Sequence, residues 1–231
     1  MRRMHRFLPF LLACGALLAQ ADDAPSAQKE YLPRSGAGHA VIVISGKSGP
    51  SKYTALARDI ADAGYYVVLV DGNDFWRGDA AGKALLAAVI GHAQASAHAV
   101  AGKVGVIGLS LGGASAITYA ARMPEQVATV VAMYPLTNFV QNPADFVGKI
   151  KVPVLVMAGT ADTYQHCCTI ATARALADAA KANPDVAPLF ALHEYPGAGH
   201  GFNMNSARDH ALVWDSRDRA IAQLRQYLPD H

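Results

Sequence analysis

Val104-Gly-Val-Ile-Gly-Leu-Ser-Leu-Gly-Gly113 begins as a strand and ends as the start of a helix. Its first six residues are apolar or glycine, as in a strand buried on both faces. Ser110 breaks the run, and Gly108, Gly112 and Gly113 permit a turn too tight for side chains. Residues 111–122 then read as a helix that Pro124 closes. A buried strand passing straight into a helix is the repeating unit of a parallel sheet.

The same unit recurs on either side. Residues 40–45 form a β-branched run, followed by a helix over 51–63 with Leu56 and Ile60 four apart and Gly64 at its end. A strand over 65–70 precedes an alanine-rich helical stretch over 79–99. Beyond the central segment come strands at 127–134 and 152–158 and a helix at 165–182 carrying Ile170, Ala173, Leu176 and Ala180 on one face. A strand at 189–195 and a helix at 207–228 complete the series. The expectation is one α/β domain over residues 40–231, with a mostly parallel sheet of about six strands and helices on both faces. Residues 22–39, punctuated by Pro25, Pro33, Gly36 and Gly38, read as an arm leading into it.

Composition excludes several classes. With 52% hydrophobic and 16% charged residues the chain is no disordered polymer, and a net charge of +2 gives no basic surface for nucleic acid. Three cysteines are too few for a disulfide scaffold. Residues 1–21 read as a secretory signal peptide: Arg2, Arg3 and Arg6, then an apolar stretch, then Ala19-Gln20-Ala21. That stretch falls short of the about 20 residues a membrane span needs, so no stable membrane insertion is expected. The product is expected to be exported, periplasmic in a Gram-negative cell, with Asp22 at the mature N-terminus. Lipidation at Cys14 is the lesser alternative, because apolar residues continue to Leu18. Intact mass of the purified protein checks this: retention of residues 1–21, or a diacylglyceryl adduct on Cys14, would overturn it.

In open parallel sheets the chemistry collects beyond the carboxyl ends of the strands. Gly108-Leu-Ser110-Leu-Gly112 is a Gly-x-Ser-x-Gly elbow that lifts the serine oxygen above the sheet, with the Leu111 N–H at the helix start available to an oxyanion. A serine hydroxyl needs a base, itself oriented by an acid. Gly159-Thr-Ala-Asp162 and Pro196-Gly-Ala-Gly-His200-Gly-Phe202 each follow a strand, which makes Asp162 and His200 the candidates. Asp71 is the reserve acid, read first as a loop cap, while His92, His98 and His193 read as surface or packing residues. Gly46-Lys47-Ser48 is no phosphate loop, since the glycine required five positions earlier is Val41. Cys167 and Cys168 are expected as reduced thiols at a helix start, with a disulfide between neighbours as the minority alternative.

These motifs together resemble the α/β-hydrolase superfamily, and within it the dienelactone hydrolase family, over about residues 38–228. The resemblance implies an α/β-hydrolase fold and the Lys47 backbone N–H as second oxyanion donor. There are three departures. Ser110 stands where the dienelactone hydrolases proper have a cysteine, and Gly46 where they carry a glutamate. Phe202-Asn203-Met204-Asn205 replaces the stretch holding their substrate-binding arginine. These departures point to a serine esterase on the same scaffold. The expected function is hydrolysis of small carboxylic esters through an acyl-enzyme, with Ser110, Asp162 and His200 catalytic and no metal or cofactor. The alternatives are an exported peptidase and a non-catalytic binding protein. Residues 136–151 are too short for a lid domain, so an open cleft taking short acyl groups is expected.

Overall fold

The computed structural model describes residues 28–34, 36–76, 78–204 and 210–229; the expected signal peptide lies outside them. The strands are β1 (Gln28–Tyr31), β2 (Gly38–Ile44), β3 (Tyr66–Val70), β4 (Ala99–Leu109), β5 (Val127–Met133), β6 (Val154–Gly159) and β7 (Phe190–Tyr195). The helices are α1 (Thr54–Asp62), α2 (Asp79–Gln94), α3 (Leu111–Thr118), α4 (Pro143–Val147), α5 (Ile170–Ala182) and α6 (His210–Tyr227). The strands form one sheet in the order β1-β3-β2-β4-β5-β6-β7. All neighbours run parallel except β1, which is antiparallel to β3.

Alternation along each strand divides the core in two. Ile42, Ile44, Val68, Val70, Val106, Val130, Val154 and Val156 face one way, onto Leu86 and Val89 of α2, Val147 of α4 and Leu176 of α5. Val41, Val43, Val67, Leu69, Ile107, Leu109, Val131 and Met157 face the other, onto Ile60 of α1 and Leu224 of α6. Helices on both faces explain why the inner strands are apolar at successive positions rather than at alternate ones. Among the described residues no helix is long and apolar enough to cross a membrane.

Several boundaries differ from the sequence expectations. The sheet has seven strands, because Gln28–Tyr31, expected to lie in the arm, pairs with β3 from Gln28↔Val70 to Tyr31↔Val67. Of its four residues only Tyr31 is buried, so it carries no apolar run to betray it. β4 starts at Ala99, five residues before its buried portion, and pairs across β-bulges at His39/Val41 and Val104/Gly105. α2 correspondingly ends at Gln94. α3 stops at Thr118 and passes into a tight 3-10 turn, Ala120–Arg122. α5 starts at Ile170, since a separate turn occupies the residues before it.

The segment between β5 and β6 forms no lid. Asn142 caps α4 by accepting hydrogen bonds from the Ala144 and Asp145 amides. Phe146 packs edge-on against Phe139, which Trp76 covers in turn, so the segment is folded down onto the body of the domain.

Candidate active site

Ser110 sits between β4 and α3 with φ 54° and ψ −113°, a conformation disfavoured for a residue with a Cβ. Close packing enforces it. A Cβ at Gly108 would collide with the Gly112 carbonyl, and one at Gly112 with the Ile44 carbonyl, so α3 can approach the sheet only with glycine at both. The Ser110 amide donates to the Met133 carbonyl, and its own carbonyl accepts from Leu136 and Ala114, which fixes the turn against β5.

Asp162 and His200 stand on loops that are joined to each other. The Thr160 amide donates to the Tyr195 carbonyl, Ala161 to Ala198, and Gly197 to the Thr160 hydroxyl. This puts Asp162 Oδ2 at 2.8 Å from His200 Nδ1, and His200 Nε2 at 3.1 Å from Ser110 Oγ. The second carboxylate oxygen, Oδ1, accepts from the Tyr164 amide, and Asp162 is buried. With the imidazole proton on Nδ1, His200 donates to Asp162 and presents its Nε2 lone pair to the serine hydroxyl. The three candidates read from sequence therefore form one hydrogen-bonded chain.

Leu111 opens α3, so its amide belongs to the first turn, whose N–H groups have no intrahelical acceptor. Lys47 lies opposite, at the cleft wall, and its carbonyl accepts from Asn73 Nδ2. Asn73 is itself held by Asp71, whose Oδ1 accepts from both its amide and its side chain. Asp71 is thus a cap that steadies the Lys47 loop, and it has no contact with the histidine among the described hydrogen bonds. The other histidines lie elsewhere: His92 pairs with Glu30 of β1, His98 lies near Tyr66, and His193 faces Asp215 with its pKa lowered chiefly by burial.

Two tyrosines that sequence motifs did not single out enclose the imidazole, and a third lines the cleft beside Gly46. Tyr164 stacks on the His200 ring, centroids 4.5 Å apart and planes 11° from parallel. Tyr134, fully buried just past β5, meets the same ring edge-on and donates its hydroxyl to Asn203 Oδ1 at 2.6 Å. Burial, reinforced by Tyr53 and Asp162, pushes its phenol well above the usual range. Tyr53 fills the space beside Gly46, where any Cβ would collide with its hydroxyl and press on Ser110 Cβ. Burial raises its pKa too, against hydrogen bonds with Ser48, the Gly46 backbone and Tyr134. The position at which the resemblance leads one to expect a glutamate is therefore occupied by a neutral phenol. A run ending in Tyr134-Pro135 directly after the elbow helix and its strand was the one signal that could have flagged Tyr134.

Cys167 and Cys168 are joined by a disulfide, contrary to the expected reduced thiols. Their Cα atoms are 3.8 Å apart, as adjacent residues must be, short of the usual disulfide range. Gln165 and His166, immediately before the pair, both adopt positive φ, 46° and 51°. Cys167 is then fixed on both sides, its amide donating to the Tyr164 carbonyl and its own carbonyl accepting from Thr137 and Asn138.

The resulting cleft, about 250 Å³, is lined by Lys47, Ser48, Tyr53, Ser110, Tyr164, His200 and Met204. It brings the Ser110 hydroxyl and the His200 imidazole together, a hydroxyl beside a nitrogen base as nucleophilic catalysis uses.

The family model described as "Dienelactone hydrolase family" matches residues 72–228. No curated protein matches the chain. Among solved structures, a protein assigned as a dienelactone hydrolase from Klebsiella pneumoniae superposes with a TM-score of 0.72 at 23% identity, covering 87% of this chain and 92% of its own. Est1E from Butyrivibrio proteoclasticus gives 0.67 at 16%, covering 88% and 94%. The thermophilic esterase Est2 of Thermogutta terrifontis gives 0.66 at 18%, covering 88% and 91%. At these identities the likeness is one of fold.

Proposed function

The chain belongs to the dienelactone hydrolase family, and from that membership we propose that it is a serine hydrolase of small carboxylic esters acting through an acyl-enzyme. The observation that carries this reading is the unbroken hydrogen-bonded chain from Ser110 through His200 to buried Asp162 at the cleft. In the proposed cycle the Ser110 hydroxyl adds to the ester carbonyl while its proton passes to His200 Nε2. The Leu111 and Lys47 amides receive the oxyanion, and Asn73 keeps the Lys47 loop in register. His200 returns the proton to the departing alcohol, and water then repeats the sequence on the acyl-serine. Asp162 and the stacked face of Tyr164 favour the imidazolium that forms in both halves, the second by cation–π attraction. Comparing ester and peptide turnover by the purified protein tests the class. Turnover of peptides alone, or of neither, would reject the proposal.

Acyl length follows from the cleft. Among the described residues no helical lid covers it, and its volume of about 250 Å³ houses only a short chain. Each buried methylene is worth about 0.8 kcal/mol, but only while there is wall to bury it against. We expect kcat/KM on p-nitrophenyl esters to peak between acetyl and butyryl and to fall beyond. An optimum at palmitoyl, measured below the micelle concentration, would reveal an acyl tunnel and overturn this expectation.

A further inference from the structure

The Cys167–Cys168 disulfide lies against the histidine of the site. Its two Sγ atoms and a ring nitrogen of His200 all fall within 4.8 Å of one another. The sulfurs are buried, at 5% and 2% residue exposure, while His200 is partly open to the cleft. Two cysteines and a histidine are a donor set suited to soft or borderline divalent cations, with thiolates as the selective ligands. We propose that reduction of this disulfide creates a site for a thiophilic divalent cation, and that occupying it disarms the serine by taking the His200 lone pair.

The bond changes are simple. A reductant supplies two electrons and the S–S bond becomes two thiols: a dithiol gives its two protons and closes its own disulfide, while a phosphine takes the oxygen of a water, whose two protons go to the sulfurs, and becomes the phosphine oxide. The cation then binds both sulfurs as thiolates, releasing their two protons. A tetrahedral centre with bonds of about 2.3 Å holds two sulfurs about 3.8 Å apart. The reduced pair must therefore open from its bonded distance, and side-chain rotation suffices, since the arms spring from Cα atoms 3.8 Å apart. The backbone on either side stays tied through Tyr164, Thr137 and Asn138. For His200 the choice of nitrogen is set by Asp162. Nδ1 is engaged at 2.8 Å, so the lone pair open to a metal is that of Nε2, the one that faces Ser110. Three protein ligands leave a fourth position open toward the cleft. The oxidised pair offers no thiolate, so the disulfide keeps the base free.

The inhibitory half of this proposal rests on the role assigned to His200 above; the site itself does not. The test uses the purified protein as isolated and after treatment with a phosphine reductant, removed without air before Cd²⁺ is added. Reduced protein should bind one equivalent with a thiolate-to-cadmium charge-transfer band in the ultraviolet. Its p-nitrophenyl acetate hydrolysis should fall to about a hundredth or less, as expected when a catalytic base is lost, and recover with EDTA. Oxidised protein should show neither band nor inhibition, and this control requires no substitution. The variant C167S/C168S should likewise give no band and resist the same concentration. Absence of the band in reduced protein, or a band with the hydrolysis rate retained, would overturn the inference. So would equal inhibition of the oxidised protein. If instead Ser110→Ala hydrolyses as fast as the wild type, the proposed function fails while the band still reports on the site.

Discussion

Replacing Ser110 with alanine is expected to abolish covalent labelling by a fluorophosphonate probe and to lower kcat/KM on p-nitrophenyl acetate by about 10⁴-fold or more. The substitution removes one oxygen whose described side-chain partner is His200 Nε2 at 3.1 Å. Both residues carry a Cβ, so the unusual backbone at φ 54° is no harder for alanine than for serine. The turn is held by main-chain bonds to Met133, Leu136 and Ala114 that the change leaves in place. The melting temperature should therefore stay close to that of the wild type, and lost activity would report chemistry rather than unfolding. Residual hydrolysis above the uncatalysed rate is expected, because the proposed oxyanion donors, the Leu111 and Lys47 amides, are left unchanged. Mass spectrometry of the probe-treated proteins decides the matter. A variant that labels as strongly as the wild type would mean that another residue is the nucleophile.

Asp162→Asn should be nearly as severe, with kcat down by about 10⁴-fold, the loss known for the corresponding substitution in a serine protease triad. The carboxylate has two engagements, and an amide can satisfy only one of them. Oδ2 accepts from His200 Nδ1 at 2.8 Å, and Oδ1 from the Tyr164 amide at 3.0 Å. If the asparagine oxygen faces Tyr164, its NH₂ faces Nδ1 and forces the imidazole proton onto Nε2. The nitrogen opposite Ser110 then has no lone pair to accept with. If the amide flips, its NH₂ confronts the Tyr164 N–H and the turn that stacks Tyr164 on His200 loosens. The first orientation disables the base outright; the second keeps the tautomer but leaves the imidazolium without a carboxylate and Tyr164 without its acceptor. Stopped-flow labelling with the fluorophosphonate should be slow yet reach completion, since Ser110 is still present. A labelling rate within tenfold of the wild type would show that Asp162 does not orient the histidine.

Much of the fold was legible because burial imprints itself locally. Residues 40–44, 66–70 and 130–133 are apolar at successive positions since both faces of the sheet are covered, and that pattern needs no knowledge of neighbours. The elbow was legible for a related reason. Gly108 must clear the Gly112 carbonyl and Gly112 the Ile44 carbonyl of the neighbouring strand, so the tight turn writes two glycines around Ser110. The order Ser110, Asp162, His200 could be read from which loops follow strands, because a parallel sheet delivers all such loops to one edge.

Other features depend on contacts between distant segments, which leave no periodic trace. β1 is polar in sequence because an edge strand is held by main-chain bonds to β3 and buries only Tyr31. Asn73 acquires its place by reaching a carbonyl 26 residues earlier in the chain. The enclosure of His200 by Tyr164 and Tyr134, and the phenol of Tyr53 over Gly46, arise only where three loops converge. The Cys167–Cys168 bond comes to lie against His200 only in the folded chain, where the Thr137 and Asn138 amides hold the Cys167 carbonyl. Sequence alone determined the layered sheet, the elbow and the residues of the hydrogen-bonded chain, since two-sided burial and a tight turn each leave their residue types in a short stretch of chain. The tertiary structure alone decided what surrounds the imidazole and what can reach it, since those contacts join side chains that only folding brings within bonding distance.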